Sequence, residues 1–199
     1  MITEFKDGFI TKSKLNEMVD GINALDIVVL TENITKTVGI GGDFATLNLA
    51  IDWCKKVIPN GYKVKLNILT GTIIQEYLKF LNVDLRFVEI TSVDTTVTID
   101  DNYLIPNLIS TYAPFIYSVS SIVPKISFNS TLINEPATSN GTFALLNKSE
   151  MELNYDLTLS GYISNISLEN HSKLTAPSVN ILNGTQGVLL FNNSIAIMQ

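Results

Sequence analysis

From Ile126 to the last residue, apolar and polar positions alternate with a period of two. The alternation itself repeats. Asn147-x-Ser149-x-Met151-x-Leu153 returns as Asn170-x-Ser172-x-Leu174-x-Ala176, and again as Asn192-x-Ser194-x-Ala196-x-Met198, in steps of 23 and 22 residues. A period of two predicts strands with one buried face. A unit returning at this interval predicts stacked β coils, because one coil cannot bury its apolar face alone.

Upstream, Val64, Leu66 and Ile68 alternate with Lys63, Lys65 and Asn67, which predicts a half-buried strand. Phe87 to Thr91 and Thr96 to Asp100 predict two more. Ile27 to Leu30 reads as a short strand, and Thr31 to Thr37 as a polar connection. At about 22 residues per coil, residues 62–199 make roughly six coils. Residues 101–123 interrupt the pattern with Pro106, Pro114, Tyr103, Tyr112, Phe115 and Tyr117, predicting a lateral loop or an irregular coil.

Two segments carry a helical period instead. Ser13 is a helix N-cap candidate, with Glu17 in the first turn. Leu15, Met18, Ile22 and Leu25 follow in steps of 3, 4 and 3, a coiled-coil seam. A helix this short, containing Gly21, is marginal alone. It makes sense as an oligomerisation neck clasped by identical partners, or as a small amphipathic helix packed on its own domain. The second segment follows the glycine turn Gly39-Ile40-Gly41-Gly42-Asp43, whose spacing matches neither the P-loop nor the dinucleotide fingerprint. Asp43 reads as the N-cap of a helix with Phe44, Leu47, Ala50, Ile51, Cys54 and Val57 on its apolar side, stopped by Pro59, Asn60 and Gly61. Such a helix can cover the open end of a coil stack. The expected organisation is an arm and neck at 1–36, a glycine turn and capping helix at 37–61, and coils at 62–199.

Composition narrows the functions. Apolar residues make up 46% of the chain and charged residues 16%, which excludes a disordered chain. No apolar run reaches membrane-spanning length, so no membrane insertion is expected. A net charge of −6 argues against non-specific nucleic-acid binding. Cys54 is the single cysteine. It excludes an internal disulfide and reads as a small core residue. No His, Asp or Glu spacing suggests a metal, and no motif suggests a cofactor. The N-terminus lacks the basic-then-apolar pattern of a signal peptide, so synthesis in a reducing cytoplasm is expected.

Sugar hydrolysis requires a carboxylic acid and a carboxylate at defined separation. Elimination chemistry requires a base and a group that neutralises the substrate's carboxylate. The candidates are Glu150, Glu152, Asp156, Glu169 and His171, the last being the single histidine. Glu150 and Glu152 share parity, which predicts one outward, solvated strand face. His171 is expected at a polar coil corner. Arg86 is the sole arginine, which leaves few groups for a fork-like grip on acidic sugars. No Ser-His-Asp motif is present. Catalysis is therefore not assigned. Tyr103, Tyr112 and Tyr117 are glycan-contact candidates, or else pack a loop against the coils.

Several of these motifs together resemble a known family. Val38-Gly39-Ile40-Gly41-Gly42-Asp43-Phe44-Ala45-Thr46-Leu47-Asn48-x-Ala50-Ile51, a helix, and Gly61-Tyr62-x-Val64-x-Leu66-Asn67-Ile68-Leu69-Thr70-Gly71 resemble the start of the right-handed parallel β-helix of phage and prophage tail fibres and tailspikes. Ile90-Thr91-Ser92-Val93-Asp94, Ala113-Pro114-Phe115 and Val123-Pro124-Lys125-Ile126-x-Phe128 resemble its next landmarks, and the Asn-x-Ser repeats its later coils. Phe5-x-x-Gly8 and Ser13-Lys14-Leu15-Asn16 resemble the start of many tail-fibre proteins. The glycine-helix-strand opening also occurs in pectate-lyase-like proteins at large.

The resemblance implies a mostly β protein: a right-handed parallel β-helix capped by an amphipathic helix, behind an arm and neck. It implies a homotrimeric structural component of the virion tail, assembled in the bacterial host cytoplasm. The N-terminus would meet other tail or baseplate proteins, and the β-helix would meet host cell-surface polysaccharide. The alternatives are a polysaccharide-degrading tailspike fragment, a head-decorating or connector fibre without ligand, and a free-standing adhesin or lyase. Family depolymerases carry paired carboxylates on late coils or between subunits, and family members often run to more coils than this chain.

Overall fold

The computed structural model describes residues 13, 17, 26–100, 115–133, 143–153, 157–160, 166–176, 179–182, 188–190 and 192–198. Leu15, Met18, Ile22 and Leu25 of the expected neck lie outside these residues, as do Tyr103, Tyr112 and Asp156. The described elements begin with β1 (Val28–Val29), β2 (Ile34–Val38), helix α1 (Leu47–Cys54), β3 (Val57–Ile58), β4 (Val64–Ile68), β5 (Ile73–Ile74), β6 (Leu78–Leu81) and β7 (Val88–Asp100). They continue with β8 (Ile116–Val119), β9 (Lys125–Ile133), β10 (Phe143–Leu146), β11 (Glu150–Glu152) and β12 (Leu157–Ser160). The last are β13 (Ile166–Leu168), β14 (Lys173–Ala176), β15 (Val179–Leu182), β16 (Val188–Leu190) and β17 (Ile195–Met198). The protein is mostly β, with one helix among the described residues.

Every strand pairing among the described residues is parallel. A first ladder runs β2-β4-β7-β9-β12-β15, a second β6-β8-β10-β13-β16, and a third β11-β14-β17. From β9 onward the chain visits the three in rotation. Single bridges from Asp84 to Ile122 and from Ile122 to Glu150 extend the third ladder towards the N-terminal side. Parallel register stacks like on like: Leu66 beside Ile90, and Ile90 beside Ile126. All three are buried. Burying an aliphatic side chain of this size contributes about 1.5–3 kcal/mol, and the stack repeats it turn after turn.

The alternation predicted for Val64 to Ile68 is present: Val64, Leu66 and Ile68 are buried while Lys65 is exposed. Four expectations are corrected. Thr31 to Thr37, expected as a polar connection, contributes Ile34 to Thr37 to β2, which is in full register with β4. Its threonines are β-branched and suit an edge strand as well as a loop. The two strands expected around Glu89 and Val97 are one strand, β7, whose register against β9 shifts between Thr91 and Thr96. The extra residues bulge outward, and Val93 is 57% exposed. Residues 115–123, expected in an irregular stretch, hold the regular strand β8 and the bridge residue Ile122. Among the described residues after 62, the first ladder is visited by five strands rather than six, β4, β7, β9, β12 and β15. The early turns are longer than 22 residues: Val83 meets Ser121 one turn on, 38 residues later.

The helix also differs in its ends. Its N-cap is Thr46, whose hydroxyl accepts from Leu49 N, while Asp43 turns back onto Thr37. It stops at Cys54, and Val57 belongs to β3, paired with β1. Leu47, Ala50, Ile51 and Cys54 are its buried face and join the core beside Val38, Leu66 and Ile68. The Glu76 carboxylate accepts from Leu47 N and, at 3.0 Å, from Asn48 N. A carboxylate there complements the positive end of the helix dipole. Burial pushes the Cys54 thiol up to about 12, in keeping with a core residue rather than a nucleophile.

The Asn-x-Ser repeat is the corner between the second and third ladders. Asn147, Asn170 and Asn192 sit there with φ of 52°, 53° and 51°. Asparagine tolerates this left-handed region better than most residues. Their side chains form a ladder: Asn170 Nδ2 donates to Asn147 Oδ1 at 2.9 Å, and Asn192 Nδ2 to Asn170 Oδ1 at 2.8 Å. Behind it runs a ladder of serines. Ser172 N donates to Ser194 Oγ, Ser149 N to Ser172 Oγ, Ser121 N to Ser149 Oγ, and Val83 N to Ser121 Oγ. Ser120 and Asn82, with φ of 50° and 51°, turn the same corner in the two earlier coils.

Candidate functional site

The third ladder carries a polar groove of about 410 Å³. It is assembled from residues far apart in sequence by the parallel stacking. Lys63 and Arg86 precede the strands β4 and β7, Lys125 opens β9, Glu150 and Glu152 flank the buried Met151 on β11, and Lys173 and Thr175 lie on β14. Register places Glu150 beside Lys173 and Glu152 beside Thr175. Alternation on β11 and β14 points Met151 and Leu174 into the core and leaves the charged neighbours outside.

Two of the cations are held. Arg86 donates through Nε and Nη2 to the Asp84 carboxylate at 2.9 Å. The Arg86 guanidinium keeps Asp84 below the ordinary carboxylate range, and Asp84 in turn raises Arg86. Lys125 Nζ pairs with Glu152 Oε1. These pairs are largely solvated and act mainly by fixing side-chain direction. Lys63 and Lys173 make no ion pair with any described residue, nor does Glu150.

Of the carboxylates singled out in the sequence, Glu150 and Glu152 meet in this groove, on the shared outward face expected of them. Glu169 is half-buried beyond β13, where it accepts from Ser167 Oγ at 3.4 Å. His171 is exposed at the asparagine corner with φ of 65°, as a corner residue was expected to be. These two are not among the groove residues. Tyr117 is half-buried on β8, its ring centroid 6.3 Å from that of Tyr77, outside the groove. Burial, together with Tyr117, pushes the Tyr77 phenol up to about 12. Lys63, Lys125 and Lys173 are missing from the sequence-based candidates. Lone lysines carry no local signal, and only the register brings them together.

A second cavity of about 440 Å³ lies between the glycine turn and the β4–β5 connection. Val38, Leu47, Ile68 and Ile74 line it, and its one carboxylate, Glu76, is already engaged on the helix. Among the described residues no group of His, Cys, Asp and Glu could hold a metal, and no helix is long and apolar enough to cross a membrane. Neither a protein-family model nor a curated protein matches the chain.

Proposed function

We propose that the chain is a right-handed parallel β-helix segment of a homotrimeric phage tail fibre or tailspike, which presents its coils to polysaccharide on the host surface. The observation that carries this reading is the rotation of the chain through three parallel ladders with an in-register asparagine and serine corner. Repeating coils give an extended surface rather than a compact pocket, as an attachment element requires. In this reading α1 caps the first coils. Residues 1–36 attach to other tail or baseplate proteins and associate through Leu15, Met18, Ile22 and Leu25. The protein is then located in the virion.

Light scattering tests the assembly. The expected mass is three times the 21.9 kDa protomer, reduced to one by Ile22→Asp with β content kept. A monomeric parent chain would remove the neck and the trimer. Adsorption of the labelled protein to a panel of bacteria tests attachment.

One observation favours a second reading, a polysaccharide-degrading tailspike fragment: Glu150 and Glu152 share a groove with Arg86 and Lys173. New reducing ends or unsaturated sugars released from host polysaccharide would establish it. Their absence across the panel would leave attachment alone.

A further inference from the structure

We infer that the groove on the third ladder binds an acidic oligosaccharide, one whose carboxylates are separated by neutral, hydroxyl-rich sugars; this rests on the attachment reading. The chain carries a net charge of −6, yet the groove gathers Lys63, Arg86, Lys125 and Lys173 against Glu150 and Glu152. A local excess of cations on an acidic protein concentrates field at that place. The two interior cations are already committed, Arg86 to Asp84 and Lys125 to Glu152. Lys63 and Lys173 have no such partner among the described residues, and they stand at opposite ends. Four strand steps separate them, which is about 19 Å along the stack at parallel-strand spacing.

The ligand that satisfies this arrangement has a carboxylate for each end and hydroxyls between. Glu150 and Glu152 accept hydrogen bonds from hydroxyls, and the Thr175 hydroxyl can donate or accept. The same two glutamates oppose a dense polyanion, so a nucleic acid, with a phosphate on every residue, fits poorly. A glycan of alternating uronic acid and neutral sugar fits both the end charges and the middle.

The test titrates the full chain with two glucuronic-acid oligosaccharides, one alternating with N-acetylglucosamine and one with glucose, and with their neutral methyl esters. At least one acid form should bind, its ester about tenfold or more weaker, with the difference shrinking as salt rises. Lys63→Glu with Lys173→Glu should lower acid binding by about tenfold or more, chiefly through the association rate. Lys79→Glu, an exposed charge swap on β6, should leave it unchanged. Lys63 and Lys173 are exposed, so circular dichroism of the double variant should match the parent. Equal binding of acid and ester, or an unaffected double variant, would overturn the site. If the parent still adsorbs to bacteria, attachment stands and the site alone falls. No binding to any glycan or cell would overturn both.

Discussion

Thr37 and Asp43 clasp each other across the glycine turn. Asp43 Oδ2 accepts from Thr37 N at 2.7 Å and from Thr37 Oγ1 at 2.8 Å, while Thr37 Oγ1 accepts from Asp43 N at 2.9 Å. Lys36 Nζ adds an ion pair to Asp43 Oδ1 at 2.9 Å. The Thr37 backbone bond, then Lys36 and the Thr37 hydroxyl, hold the Asp43 carboxyl far below its ordinary range. A depressed folded-state value stabilises the protein above the unfolded value near about 3.9, and that stability fades as pH falls below it. Asp43→Asn should therefore lower Tm at neutral pH by an amount that stays constant down to about pH 5 and shrinks in stronger acid. A Tm difference independent of pH would show that the carboxylate charge is not what holds the turn.

The serine ladder predicts a buried-donor effect. Ser172 is buried, accepts from Ser149 N at 3.3 Å and donates to Glu169 O at 2.7 Å. Ser172→Ala leaves a buried N–H without its acceptor and should cost about 1–3 kcal/mol in urea unfolding. Ser172→Thr keeps the hydroxyl and adds a methyl, so overpacking rather than a lost bond would set its cost.

At Asn170 two effects can be separated. Its amide bridges Asn147 and Asn192, and its φ is 53°. Asn170→Gly keeps the backbone conformation and loses the ladder. Asn170→Ala loses both and should be less stable than the glycine variant by about 1–2 kcal/mol. Equal stabilities would mean that the left-handed corner carries no strain for alanine.

Core stacking predicts the largest loss. Leu174 is fully buried between Met151 and Ala196 in the third ladder. Leu174→Ala should cost about 2–5 kcal/mol, because rigid neighbours above and below cannot collapse into the cavity. A loss below about 1 kcal/mol, typical of exposed sites, would contradict the packing described.

Much of the fold could be read from residues that keep their identity from coil to coil. Asn147, Asn170 and Asn192 announce their step because each occupies a left-handed corner and hydrogen-bonds its equivalent, so the side chain is constrained twice. Ser120-Ser121 and Asn82-Val83 turn the same corner without the motif. Their corner is one residue shorter, and Val83 joins the serine ladder through its backbone N–H with no hydroxyl of its own. Asp43 and Thr46 are both sound N-caps in sequence, and only the clasp to Thr37 decides between them. Glu150 and Glu152 were legible as one outward face from parity alone. Their lysine neighbours were not, because a lateral neighbour in a parallel stack sits one whole turn away along the chain.

The corner ladders also set how a sequence error spreads. Beyond its own turn, each asparagine and serine engages only the turn above and the turn below, so the coils behave like the teeth of a zip, meshing one pair at a time. Extra residues between corners change the girth of a single turn, as the 38 residues from Val83 to Ser121 already do, without moving any other tooth. A single residue gained or lost within Asn170 to Leu174 would instead swing Leu174 outward and Lys173 inward. Variation in length is thus accommodated between the teeth and resisted at them.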